Sequence, residues 1–135
     1  MSSTGNVRYA VSDAIAEISL DRAPVNALNL PLLEGRIEAL RRAAADDNVR
    51  AVVLASALPR RFCAGLDLDL LRGKSGSEVR RFLDKLYLEL ADVQYNLGKP
   101  SIAAVGGAAM YLKETASAIS GSMPSMRSGS TLFLG

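Results

Sequence analysis

Val49 to Ala55 (VRAVVLA) is a short, mostly apolar run with several β-branched residues. Such a run reads as a strand buried on both faces, as in the middle of a parallel sheet covered by helices. The flanking sequence can supply that cover. Upstream, Asn29 is placed to cap a helix, with Pro31 in the first turn, where a missing N–H costs nothing. Leu33, Ile37, Leu40 and Ala44 then recur at i, i+4, i+7 and i+11 as one apolar stripe, and Asp46-Asp47-Asn48 ends the pattern. Before that helix, Val7, Tyr9 and Val11, and then Ala16, Ile18 and Leu20, alternate with their neighbours, which predicts a β-hairpin turning around Ser12-Asp13. Strand, helix and buried strand make a βαβ-type unit, so the expected class is α/β with a parallel sheet.

The second helix is the clearest in the chain. Ser75 and Glu78 have capping-box spacing. Val79, Phe82, Leu83, Leu86, Leu90, Val93 and Leu97 hold the helical period for about six turns. Gly98 is a natural stop and Pro100 forbids continuation. Ser101 to Val105 (SIAAV) reads as another short buried strand. After Gly107 the character changes: residues 114–135 hold only two charged side chains, Glu114 and Arg127, and no sustained period. The expected division is therefore a packed body over residues 1–107 and a divergent tail over 108–135.

Composition narrows the chemistry. At 135 residues, with 49% hydrophobic and 22% charged residues, the chain suits one small globular domain. It has no histidine, which excludes Ser-His-Asp and Cys-His nucleophile pairs and His-ligated zinc. The single cysteine, Cys63, can form neither an intrachain disulfide nor a CxxC site, and no metal site is expected. With no base evident to activate it, Cys63 reads as a small buried hydrophobe rather than a nucleophile. Acid–base work is left to Asp, Glu, Lys, Tyr and backbone dipoles. A net charge of +2, with both signs interleaved and no aromatics among the basic residues, argues against a nucleic-acid surface. No signal-peptide pattern opens the chain, and no apolar run reaches the roughly 18 residues of a membrane span, so a soluble, cytoplasmic protein is expected.

The segment Arg61-Phe62-Cys63-Ala64-Gly65-Leu66-Asp67-Leu68 follows the buried strand after a short Pro-containing loop. A glycine at a strand-to-helix turn leaves backbone N–H groups unpaired, and such groups can hold an anion or a developing oxyanion. A plain structural turn is the competing reading. Lys74-Ser75-Gly76-Ser77 lacks the spacing of a phosphate loop.

Four motifs in order give a resemblance. Asp21-Arg22-Ala23-Pro24-Val25-Asn26-Ala27-Leu28 resembles the D-R-P-x-x-N-A-L entry segment of the crotonase superfamily, the enoyl-CoA hydratases and isomerases. Val49 to Leu54 is similar to its strand, Phe62 to Leu68 to its F-x-A-G-x-D-L turn, and Lys99 to Val105 to its K-P-x-I-A-A-V strand. The resemblance spans roughly residues 7–110. It implies a crotonase-like spiral of ββα repeats, here incomplete. It also implies an acyl-CoA substrate and a homo-oligomer, trimer or hexamer. Coenzyme A would be part of the substrate, with no separate cofactor and no nucleic-acid or membrane partner.

By that resemblance, the backbone N–H of Leu66 is the first oxyanion donor. Ala64, Asp67 and Leu68 would line the CoA adenine and pantetheine on one side, with Arg22, Val25 and Ala27 on the other. The Asp67 carboxylate reads better as a cap on the helix after the turn. Arg60, Arg61 and Lys99 could meet CoA phosphates or simply face solvent. The sequence then departs from the family. Counted without gaps, the family's Asn-Gly falls on Gly106-Gly107, and its glycine triplet on Tyr111-Leu112-Lys113. Leu112 would thus be the second N–H donor. The family's glutamate column falls on Thr115, with Glu114 one residue early, about 100° away around a helix. The leading expectation is an enoyl-CoA hydratase or isomerase acting through an oxyanion hole. The alternative is a non-catalytic acyl-CoA-binding or assembly subunit, or an inert truncated fragment.

Overall fold

The computed structural model describes residues 2–70, 72–109 and 131–134. The chain opens with β1 (Ser2–Thr4), β2 (Val7–Ser12) and β3 (Ile15–Leu20). Helix α1 (Leu30–Ala45) follows, then β4 (Ala51–Ser56) and β5 (Arg61–Cys63). After a 3-10 turn at Leu68–Leu70 come α2 (Gly76–Asp84), a π-helical turn (Lys85–Glu89) and α3 (Leu90–Tyr95). Strands β6 (Ser101–Ala104), β7 (Ala108–Ala109) and β8 (Thr131–Leu134) complete the described chain.

Six strands form one sheet in the order β1-β2-β3-β4-β6-β8. The first two pairings are antiparallel, and β3-β4, β4-β6 and β6-β8 are parallel. The hairpin turns on Asp13-Ala14, with Ser12 opposite Ile15. Both turn residues sit at positive φ, 51° and 64°, the geometry that a two-residue hairpin loop requires. The turn is one residue later than the expected Ser12-Asp13. Strand β4 likewise starts at Ala51 rather than Val49, because Val49 is still bonded to Asp46 in the turn that leaves α1.

The register places Val7, Tyr9, Ala16, Ile18, Leu20, Val52, Leu54 and Ala103 on one sheet face, all buried. Helix α1 lies across β1, β2 and β3, and the α2–α3 rod packs on α1 from outside. Each α1 leucine so enclosed contributes about 1.5–3 kcal/mol of transfer free energy. Two layers therefore enclose α1, and its burial exceeds one stripe: Leu32, Leu33, Gly35, Arg36, Ile37, Ala39, Leu40 and Ala43 are all buried. Ala44, expected on the stripe, is exposed. The opposite face of β4 is less covered than expected, with Ala51, Val53 and Ala55 only half-buried.

Asn29 caps α1 by accepting from Leu32 N–H, and Pro31 stands in the first turn, as its chemistry demands. At its other end, Lys99 Nζ donates to the carbonyls of Ala43 and Asp46 at 2.6 and 2.7 Å. Lysine charge there offsets the negative end of the helix dipole, so Lys99 is a helix cap and not a free surface cation. The capping box at Ser75 and Glu78 is fully made. The long apolar stripe is real at Phe82, Leu86, Leu90, Val93 and Leu97, but one π turn interrupts the rod. Salt bridges Arg41–Glu89 and Lys85–Glu34 tie it to α1. No helix among the described residues is long and apolar enough to cross a membrane. Beyond residue 107, β7 pairs with β5 and β8 with β6.

Candidate functional site

The 21–28 segment and the 62–68 turn lie side by side. Leu28 forms an isolated parallel bridge with Leu66: Leu28 N–H donates to Gly65 O at 2.7 Å, and Asp67 N–H donates to Leu28 O at 3.0 Å. Ala64 N–H donates to Val25 O at 3.0 Å. These bonds use the Gly65 carbonyl and the Asp67 N–H, on either side of Leu66, but not the Leu66 N–H. In a trans peptide the C=O and the following N–H point opposite ways. Because Gly65 O faces Leu28, Leu66 N–H faces away from it. Among the described residues it meets no backbone acceptor.

The other flank of β5 is occupied by β7, with Arg61 opposite Ala108 and Cys63 opposite Ala109. The approach at this flank is close. A Cβ at Gly107 would overlap the Arg60 carbonyl group, so only glycine lets the β6–β7 connection pass there. Gly65 itself sits at φ 90°, a conformation that the glycine of the turn makes accessible.

Asn26 organises the whole arrangement. It is fully buried, at φ 53°. Its Oδ1 accepts Arg22 N–H at 2.7 Å, and its Nδ2 donates to Ser56 Oγ at 2.8 Å and Phe62 O at 2.9 Å. Its carbonyl accepts the Cys63 thiol at 3.2 Å. One side chain therefore joins the entry segment, the end of β4 and the start of the turn. Sequence reasoning passed over Asn26 as a motif letter. The available signal was an asparagine in a proline-containing loop, since Asn tolerates left-handed φ and its amide substitutes for backbone.

Arg22 adds a second clamp. Nη1 donates to Ala27 O at 2.7 Å, and Nη2 pairs with Asp67 Oδ2 at 2.8 Å. Asp67 Oδ1 accepts Asp69 N–H at 3.1 Å, which starts the 3-10 turn. The Arg22 hydrogen bond, then the Asp69 amide, hold the Asp67 carboxyl below the ordinary carboxylate range. Both oxygens are engaged in structure, so this carboxylate is a clamp and a cap rather than a free base. Cys63 is buried, and burial pushes its thiol pKa up, against a smaller opposing effect of the Gly65 amide and Arg36. It therefore stays a protonated thiol at neutral pH.

Of the residues singled out from sequence, Arg22, Val25, Ala27, Ala64, Leu66 and Asp67 are brought together and half-buried. Leu68 joins them at the rim, 70% exposed. Leu112 and Glu114 lie outside the described residues. No cluster of three or more metal-ligating side chains occurs among the described residues. A groove of about 480 Å³ lined by Arg81, Asp84, Lys85, Leu88, Glu89 and Asp92 lies on the outer helical rod, away from the turn.

A parallel sheet entered by an antiparallel hairpin, with a glycine turn presenting an amide unused among the described residues beside a buried asparagine, defines an α/β protein of crotonase fold. Residues 10–111 match the enoyl-CoA hydratase/isomerase family, and the chain belongs to that family. It is 38% identical over 106 residues to a probable mitochondrial enoyl-CoA hydratase 2 of Arabidopsis thaliana, a match covering 76% of this chain and 35% of that protein. It is 38% identical over 101 residues to carboxymethylproline synthase of Pectobacterium carotovorum, covering 73% and 40%. Human mitochondrial delta3-delta2-enoyl-CoA isomerase superposes with a TM-score of 0.71 at 28% identity, covering 76% of this chain and 40% of that one. The chain spans well under half the length of these relatives.

Proposed function

We propose that this chain binds an acyl-CoA thioester and polarises its carbonyl at the Leu66 N–H, as the first half of an oxyanion hole. The observation that supports this most directly is the Leu66 amide, which meets no backbone acceptor among the described residues and is fixed in direction by the Gly65–Leu28 hydrogen bond. An N–H held in place before the ligand arrives stabilises developing negative charge without reorganisation. Double-bond migration of an enoyl-CoA would follow once a carboxylate carries a proton between the α- and γ-carbons. Hydration would need an acid and base pair that adds water, its hydroxyl to the β-carbon and a proton to the α-carbon. Glu114 is the proposed carboxylate and the Leu112 N–H the proposed second donor. In this reading coenzyme A is carried by the substrate, no further cofactor is needed, and the protein acts as a cytoplasmic homo-oligomer, a trimer or a pair of trimers.

The engagement of Asp67 favours a second reading. With that carboxylate tied to Arg22 and Asp69, the turn contributes binding and carbonyl polarisation but no proton transfer. The chain would then be an acyl-CoA-binding subunit without turnover. Calorimetric titration with crotonyl-CoA, with free CoA as control, tests what the two readings share. Saturable binding that prefers the thioester is expected, and equal or absent binding of both ligands overturns it. An enoyl-CoA turnover assay, with Glu114→Gln alongside, then separates catalyst from binder.

A further inference from the structure

The Arg22 guanidinium is engaged within the protein, and both of its partners lie beside the Leu66 amide. Nη1 donates to Ala27 O at 2.7 Å, and Nη2 pairs with Asp67 Oδ2 at 2.8 Å. Ala27 precedes Leu28 and Asp67 follows Leu66, so the fork braces the Leu28–Leu66 bridge from one residue away on each segment. That bridge is an isolated one, with no further ladder beside it. The brace is itself anchored. Arg22 N–H donates to Oδ1 of the buried Asn26 at 2.7 Å, and Asn26 N–H donates to Arg22 O at 2.8 Å. Asp67 Oδ1 accepts Asp69 N–H at 3.1 Å. What needs holding is the peptide between Gly65 and Leu66, whose oxygen meets Leu28 N–H and whose N–H is the Leu66 amide. Glycine is permissive about its own backbone bonds, so Gly65 does not fix that plane by itself. A forked guanidinium suits the task, because its planar donors are pre-organised.

We infer that Arg22 is a positioning residue, whose guanidinium holds the Gly65–Leu66 peptide in the plane that aims the Leu66 N–H, rather than a contact to the phosphates or adenine of CoA. This deepens the proposed thioester site at Leu66 and rests on it. Arg22 touches no reacting atom. It acts through Ala27 and Asp67, and the Asp67 carboxylate at 2.8 Å offsets its charge, which weakens its pull on a phosphate. Without the fork the peptide plane tilts more widely, and a thioester oxygen meets the amide at a poorer angle. The nucleotide part of CoA gains nothing from the brace, so the effect is confined to the carbonyl.

The test compares crotonyl-CoA with the crotyl thioether of CoA, which keeps the chain and the nucleotide but lacks the carbonyl oxygen. One amide–carbonyl hydrogen bond supports a preference for the thioester of about three- to tenfold in wild type. Arg22→Met keeps the stem and removes the fork, and should bring that preference to about twofold or less. Asp67→Asn, which keeps the shape and removes the charge, should lower it less. Arg22→Lys should recover part of the loss by reaching Asp67 alone. Hydrogen exchange in Arg22→Met should quicken at Leu28 and Asp67, the two amides of the bridge, and stay slow at Val52 in the sheet. Loss of affinity for both ligands in equal proportion would make Arg22 a CoA contact and overturn the inference. An undiminished preference in folded Arg22→Met also overturns it, while leaving the thioester site standing. A wild type without carbonyl preference overturns the Leu66 site and the inference with it. Failure of both Arg22→Met and Asp67→Asn to fold, or exchange quickened throughout the sheet, would make the pair structural and overturn the inference alone.

Discussion

Arg22 Nη2 and Asp67 Oδ2 meet at 2.8 Å across the gap between the entry segment and the glycine turn. The two residues stand 45 positions apart in the chain, yet each also bonds its own neighbourhood, Arg22 to Ala27 O and Asp67 to Asp69 N–H. The pair thus couples two local loop conformations, and both side chains are largely shielded, at 26% and 18% exposed. A carboxylate at that position stabilises the turn only while it is ionised.

The pH dependence follows in sign. The Asp67 pKa is lowered in the folded chain from an ordinary value near 3.8, chiefly by Arg22. Its contribution is therefore complete above the unfolded value and disappears as pH falls through the folded one. Thermal unfolding followed from pH 7 to pH 3 should show a steeper acid loss for wild type than for Asp67→Asn, with the two curves converging at the acid end. Parallel curves would show that the pair contributes nothing to the acid limb.

Asn26→Ala should be among the most damaging single substitutions in the described chain. It strands the Phe62 carbonyl in a buried setting and the Arg22 amide in a half-buried one, and it places alanine at φ 53°. Losses from unsatisfied buried groups suggest about 3 kcal/mol in all. Urea unfolding should give a lower midpoint at unchanged slope. A change below about 0.5 kcal/mol would mean that water replaces the amide, and that the turn holds itself.

What could be read from residues alone follows a physical division. Local, periodic features were legible: the Asn29 cap, the Ser75–Glu78 box and the alternation of β2 and β3 each follow from the conformational preference of a few neighbouring residues. Features set by contact between distant segments were not. Strand β5 has three residues and β7 two, too short for a period, and each exists through its pairing with the other. The π turn at Lys85–Glu89 leaves the apolar stripe almost intact and is invisible to it. Lys99 reads from sequence equally as a phosphate contact or a solvated surface cation, and only the end of α1 beside it shows the cap it makes. Asn26 and Arg36 were missed for one reason: both are polar residues buried by tertiary packing, which composition and period do not register. Around the candidate site, the family resemblance picked out the two segments that meet, while the residues that hold them together became visible only in three dimensions.

The adjacent glycines 106 and 107 should respond very differently to the same change. A Cβ on Gly106 meets nothing within 4 Å, whereas one on Gly107 runs into the Arg60 carbonyl. Gly106→Ala should leave stability within about 0.5 kcal/mol of wild type, and Gly107→Ala should cost about 1–3 kcal/mol, as overpacking does. Because the clash lies beside the β5–β7 pairing, hydrogen exchange at Phe62 and Cys63 should quicken in Gly107→Ala. Equal behaviour of the two variants would show that the β6–β7 connection can shift freely away from Arg60.

Leu66 offers the sharpest test of the proposed chemistry, because side chain and amide can be removed separately. Leu66→Ala keeps the N–H, so thioester preference over free CoA should persist. Leu66→Pro deletes the N–H, and the intact chain uses that group in no backbone bond among the described residues. Its loss should therefore fall mainly on the ligand. Removing one oxyanion donor elsewhere costs two to three powers of ten in rate, or about 2.7–4 kcal/mol of transition-state stabilisation. The ground-state effect is smaller, since a neutral carbonyl accepts less strongly than an enolate. Crotonyl-CoA should then bind Leu66→Pro no better than free CoA does, with circular dichroism confirming an unchanged fold. Thioester preference surviving in a folded Leu66→Pro would move the carbonyl-binding amide to another residue of the turn.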